Sequence, residues 1–133
     1  MSRKSGRMEP ERPSDPVLVI EDNTEVRQAL VALLEAEGYS VIEAVDGVSA
    51  LRLLRAGEVR PCLIVLDLMM PRMSGWDFRM EQSSDRRFAA IPVVVVSADP
   101  LASQAERMGA AAVLSKPPDP ERFLELIGRH CTR

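Results

Sequence analysis

The sequence predicts an α/β protein: a three-layer sandwich with helices on both faces of a five-stranded parallel sheet, doubly wound in the order 2-1-3-4-5. Three observations lead there. Residues 16–20, 63–66 and 91–96 are uninterrupted apolar runs, PVLVI, LIVL and IPVVVV, as strands buried on both faces of a parallel sheet require. The segments between the runs carry apolar residues at helical spacing. Two of the runs end on carboxylates, Glu21-Asp22 and Asp67, and open sheets of this kind keep their ligands beyond the carboxyl ends of the strands.

Taken in order, the first run leads into a helix that Asn23 or Thr24 can cap, with Val26, Leu30, Leu33 and Leu34 as its apolar stripe and Gly38 as a left-handed stop. Residues 39–44 alternate less cleanly and suit a strand nearer the sheet edge. Asp46-Gly47 marks a turn into a short helix with Ala50, Leu51 and Leu54 inward, ending near Gly57. After the central strand, Pro71, Ser74 and Gly75 force a loop before a helix at about 76–81, which Ser83, Ser84 and Asp85 break. The third run reaches Ser97. Asp99-Pro100 then reads as a cap with proline at the first helical position, for a helix that stops at Gly109. Residues 111–114 form the last strand, ending on Ser115-Lys116. Asp119-Pro120 repeats the cap for a final helix with Phe123, Leu124 and Ile127 inward.

A chain of 133 residues is one domain, large enough to bury about two-thirds of its unfolded surface without staples. The expected division is a disordered tail over residues 1–15 and a folded domain over 16–130. The net charge is −3; residues 1–14 carry +2, which leaves −5 for the rest, so the folded part is no nucleic-acid surface. No apolar run approaches a membrane span, and the basic N-terminus lacks the apolar stretch of a secretory signal. Cys62 opens the central strand and Cys131 lies in the last three residues, which reads as two reduced thiols of a cytoplasmic protein.

The strand ends gather a constellation on one sheet edge: Glu21, Asp22 and Asp67, then Ser97, then Lys116. Three converging carboxylates repel one another unless a cation joins them. Magnesium fits, with oxygen ligands roughly 2.1 Å away and several retained waters. No histidine or cysteine stands at a strand tip, which argues against zinc. A carboxylate beside a divalent ion can attack phosphorus and form an acyl phosphate, provided the phosphoryl oxygens are neutralised as charge develops. Ser97 offers a hydroxyl for that and Lys116 an ammonium. The residue types and their placement describe a phosphoryl-acceptor site.

Over about residues 16–130 the chain resembles a response-regulator receiver domain, a single-domain member of two-component signalling with the flavodoxin-like strand order. The motifs are VLVIEDN at 17–23, LIVLDLMMPRMSGWDF at 63–78, VVVVSA at 93–98 and LSKP at 114–117. The resemblance implies that Asp67 is phosphorylated by a sensor histidine kinase or a histidine phosphotransfer protein and passes the signal to a downstream protein. It implies Mg²⁺ held by the side chains of Glu21, Asp22 and Asp67 and by the Met69 carbonyl. Ser97 would be the switch hydroxyl, Lys116 the phosphoryl counter-charge, and the Lys116–Pro117 peptide cis. Two departures stand out. Val113 occupies the place of the family's Tyr or Phe three residues before the lysine, and lacks the area for that aromatic's inward swing. Ser97 replaces the commoner threonine and keeps the hydroxyl.

Met69, Met70 and Met73 read as loop and core gap-fillers, Trp76 as a packing residue, and His130 as a solvated terminal residue. A small-molecule aspartyl phosphatase is the rival reading, but it wants an acid two residues after its nucleophile, where this chain has Met69, and an inserted cap that this chain lacks. A binding-only relative would not need the full acidic set.

Overall fold

The computed structural model describes residues 15–132; apart from Asp15, the expected tail lies outside the described residues. Five parallel strands, β1 (Val17–Ile20), β2 (Val41–Ala44), β3 (Leu63–Leu66), β4 (Val93–Ser97) and β5 (Ala112–Ser115), form one sheet in the order β2-β1-β3-β4-β5. The flavodoxin-like topology read from the sequence is the one observed. Register aligns Ile20 with Leu66, and Leu66 with Val95, so β1 and β3 end together and β4 runs two residues further, to Ser97.

Alternation along the strands makes the layers. Leu18, Ile20, Ile64, Leu66, Val93 and Val95 face one side, where they pack with Ala50, Leu51 and Leu54 of α2 (Gly47–Ala56), with Phe78 of α3 (Gly75–Ser83), and with Ala102 and Ala105. Val17, Val19, Leu63, Val65, Val94 and Val96 face the other, against Leu30 and Leu34 of α1 (Thr24–Ala36) and Phe123 and Ile127 of α4 (Pro120–Gly128). Each central strand therefore needs apolar residues at every position, and has them. The edge strand β2 is only partly buried, as its weaker pattern suggests.

Local caps place the helices. Asn23, Asp46, Ser74 and Asp119 each accept a backbone N–H of the first turn of α1, α2, α3 and α4, satisfying donors that a helix start leaves unpaired. Gly38 and Gly57 take the left-handed backbone after α1 and α2. The Lys116–Pro117 peptide is cis, in line with the resemblance.

Three expectations need correction. The fourth helix is a 3-10 helix, Ala102–Met108, and Asp99 does not cap it. The Asp99 carboxylate accepts the N–H of Leu101, only two residues on, at 2.9 Å. The following N–H groups of Ala102 and Gln104 reach back three residues, to the carbonyls of Asp99 and Leu101, so the start winds tighter than an α-helix. Second, Cys62 and Cys131 are not free thiols but a disulfide, with Cα atoms 5.5 Å apart. They are 69 residues apart in the chain, yet α4 runs antiparallel to the strands and returns the chain end to the point where β3 begins. Third, Met69 fills no gap: it is 59% exposed, whereas Met70 and Met73 pack against the core.

Candidate functional site

The common ends of β1, β3, β4 and β5 bring the predicted residues together. Glu21 and Asp67 follow β1 and β3 and are both buried, at 1% and 3% exposure. Parallel pairing continues one residue past each strand: the Glu21 N–H donates to the Ala44 carbonyl, the Asp67 N–H to the Ile20 carbonyl, and the Lys116 N–H to the Ser97 carbonyl. Each carboxylate or ammonium is thus fixed at its root by the sheet. Asp22 is exposed, but an oxygen of Glu21, of Asp22 and of Asp67 all lie within 4.8 Å of one another.

Lys116 Nζ lies 2.6 Å from Glu21 Oε1 and 3.5 Å from Asp67 Oδ2. Glu21 Oε1 is buried, and its short contact with the ammonium is poorly aligned for a hydrogen bond. Burial holds the Glu21 carboxyl above its ordinary range, and the neighbouring charge of Asp67 adds to this, against the lowering effects of Lys116 and the Asn23 N–H. Burial alone would pull Lys116 down; Glu21 and Asp67 outweigh it and hold the ammonium above its ordinary range. A buried acceptor with a spare lone pair, beside two more carboxylates, fits a hard cation with oxygen ligands. Glu21, Asp22 and Asp67 are the side chains that would hold it.

Other residues aim these groups. Asn23 N–H donates to Glu21 Oε2 at 3.1 Å, and Arg27 Nη1 donates to the Glu21 carbonyl at 2.9 Å while its Nε binds Glu43 Oε1. The Met69 N–H lies 3.3 Å from Asp67 Oδ1. Buried Ser97 accepts the Asp99 N–H on its hydroxyl oxygen at 3.1 Å, which leaves its own proton free to be donated outward. Gly75 is obligatory: a Cβ there would stand 2.3 Å from the Asp67 carbonyl oxygen, so the loop after Asp67 folds back onto the backbone that carries it. Beside Ser97 a cavity of about 450 Å³ is lined by Asp99, Ser103, Glu106, Val113 and Lys116; the small Val113 side chain leaves this space open. Arg27 was not among the sequence-predicted residues: its partner Glu43 lies 16 positions away, a separation with no periodic signal.

Comparisons with known proteins point the same way. Residues 17–128 match the family described as the response regulator receiver domain. The chain is 36% identical over 114 residues to the polar-differentiation response regulator DivK of Brucella anthropi, covering 84% of this chain and 91% of that protein. Among solved structures, a response regulator receiver protein from Pseudomonas putida superimposes with a TM-score of 0.79 at 32% identity, over 90% of this chain and 98% of that one. The chemotaxis protein CheY4 of Vibrio cholerae gives a TM-score of 0.77 at 29% identity, over 87% and 98%.

Proposed function

The chain belongs to the response-regulator receiver domain family of two-component signalling, and on that premise we propose that Asp67 is its phosphoryl acceptor. The observation that carries this reading is the placement of Asp67: a buried carboxylate with an ammonium 3.5 Å to one side and two further carboxylates within 4.8 Å.

As a receiver domain the chain works between a phosphodonor and a downstream target. The donor is the phosphohistidine of a sensor histidine kinase or histidine phosphotransfer protein. An Asp67 oxygen attacks its phosphorus, the new O–P bond forms as the N–P bond breaks, and the electron pair leaves on the imidazole. Glu21, Asp22, Asp67 and the Met69 carbonyl would hold Mg²⁺, which would supply positive charge against the phosphoryl oxygens. Lys116 supplies it from the other side, and the Ser97 hydroxyl donates a hydrogen bond to one phosphoryl oxygen. Met69 N–H keeps the Asp67 carboxylate turned outward. Hydrolysis of the acyl phosphate resets the site, so the only chemistry is the domain's own phosphorylation and dephosphorylation.

The domain spans residues 16–130; its placement in the cytoplasm rests on the phosphodonor, since the paired Cys62 and Cys131 do not argue for it. Its downstream target is a protein, since the net charge of −5 beyond residue 14 repels nucleic acid; no described helix is long and apolar enough to cross a membrane. Incubation with acetyl phosphate and Mg²⁺, followed by intact mass, tests the reading. The wild type should gain one phosphoryl group, and neither Asp67→Asn nor wild type in EDTA should gain any. Full labelling of Asp67→Asn would sink the assignment.

A further inference from the structure

Among the described residues, Arg72 is the one non-glycine residue with a left-handed backbone, at φ 66°. The Met73 N–H donates to the Pro71 carbonyl at 2.7 Å, which closes a γ-turn around it. A side chain with a Cβ pays for this conformation, so something at Arg72 has to hold it. Its guanidinium does: Nε donates to Asp46 Oδ2 at 3.0 Å, and Nη2 pairs with the same oxygen. Asp46 is only 4% exposed, and its other oxygen accepts the Ser49 N–H at 2.8 Å as the cap of α2. One residue on, Met73 lies so close to Gly47 that a Cβ on that glycine would stand 2.9 Å from the Met73 sulfur. Residues 72 and 73 are therefore clamped to the start of α2.

The other end of the same short loop serves Asp67. Met69 N–H meets Asp67 Oδ1, and the Gly75 N–H donates to the Leu68 carbonyl at 3.0 Å. Between that end and the clamp lie only Met70 and Pro71. Proline fixes its own φ and restricts the residue before it, so the segment is stiff and a shift at Arg72 is passed on to Met69. From this, we infer that Arg72, through its ion pair with Asp46, is a positioning residue for phosphoryl acceptance, setting the direction of the Met69 N–H and carbonyl at Asp67. The inference rests on the reading of Asp67 as acceptor.

The Arg72 side chain is 61% exposed and glycine adopts φ 66° without strain, so Arg72→Gly removes the ion pair while relaxing the turn. Asp46→Asn keeps a cap acceptor and removes the charge, approaching the pair from its other side. Phosphoryl gain from acetyl phosphate is followed as Mg²⁺ is titrated, and amide hydrogen exchange at residues 69–73 is followed in EDTA. Arg72→Gly and Asp46→Asn should each melt near wild type, need several-fold more Mg²⁺ for half-maximal rate, and exchange faster at Met69 and Met73. Arg72→Lys should recover part of the loss, and the double variant Arg72→Gly/Asp46→Asn should be no worse than Arg72→Gly. If wild type is labelled at Asp67 and Arg72→Gly matches it in half-saturating Mg²⁺ and in exchange, the role of Arg72 is overturned alone. Additive losses in the double variant also overturn it, because the two side chains would then act separately. If wild type is not labelled at Asp67, the acceptor reading falls, and this inference with it.

Discussion

Lys116 Nζ sits nearer to Glu21 Oε1, at 2.6 Å, than to Asp67 Oδ2, at 3.5 Å. The ammonium pairs with both carboxylates but leans more on Glu21 than on Asp67, the proposed phosphoryl acceptor. A cation held by Glu21 and Asp67 would have to compete with it, and the ammonium displaced from Glu21 would become available to a phosphoryl group on Asp67.

That competition is measurable. Lys116→Met should bind Mg²⁺ several-fold more tightly than wild type by calorimetric titration, because two like charges no longer share one carboxylate. It should also gain phosphoryl from acetyl phosphate more slowly, on the order of a hundredfold, the usual cost of losing one charge-stabilising group. Unchanged Mg²⁺ affinity would show that the ammonium does not occupy the cation's side of the site.

The same pair sets an alkaline limit on stability. Glu21 and Asp67 hold the Lys116 proton more tightly in the folded state than in the unfolded chain, where lysine titrates near about 10.4. The stabilising contribution is therefore complete below that pH and disappears as pH rises through the higher folded value. In EDTA, wild type should resist denaturant better than Lys116→Met at pH 8, and the gap should close only above about pH 10. A gap that stays constant through that range would mean that Lys116 does not gain its stability from the two carboxylates.

The Cys62–Cys131 bond closes a loop of 69 residues, and in the chain-entropy account such a loop stabilises the fold by about 4 kcal/mol. Cys131→Ser should lose stability of that order in denaturant unfolding, and wild type in reductant should match it. Phosphoryl acceptance should survive in both, because Cys62 precedes β3 and Asp67 follows it, at opposite ends of the strand. A Cys131→Ser variant as stable as the oxidised wild type would remove the bond from the account of stability.

Residues that act through periodicity or position at a strand end were legible in the sequence. The double-sided apolar runs of β1, β3 and β4 place Glu21, Asp67 and Ser97 at one edge without any knowledge of side-chain contacts, and at that edge Glu21, Asp22, Asp67 and Lys116 lie close together. What the sequence hid was pairing across distance. Cys62 and Cys131 look like isolated thiols until α4 carries the chain end back to β3. Arg72 looks like an ordinary loop charge until Asp46 is found beside it. The 3-10 helix was missed for a different reason: Asp99-Pro100 satisfies the composition of a helix cap, and only the choice of Leu101 as hydrogen-bond partner, one residue too early, tightens the turn.

How long the phosphoryl group survives depends on whether a water can be aligned opposite the Asp67 oxygen. The resemblance to receiver domains implies that the side chains of Met69 and Asp99 flank that path. Asp99 is occupied: its N–H donates to the Ser97 oxygen and its carboxylate accepts the Leu101 N–H, so it is a poor candidate to hold a water. Met69 is bound through its backbone N–H to Asp67, while its side chain is 59% exposed and free to lie over the mouth of the site. A thioether is a weak acceptor and no donor, so it shields the acyl phosphate without orienting a nucleophile. The phosphorylated form should therefore be long-lived, and Met69→Asn should shorten its life at saturating Mg²⁺. Positioning one water by a hydrogen bond is worth about 1 kcal/mol, which sets the expected acceleration at roughly fivefold. Following loss of the phosphoryl mass from both proteins side by side decides the matter: equal rates would mean that Met69 does not govern water access, and the long lifetime would need another cause.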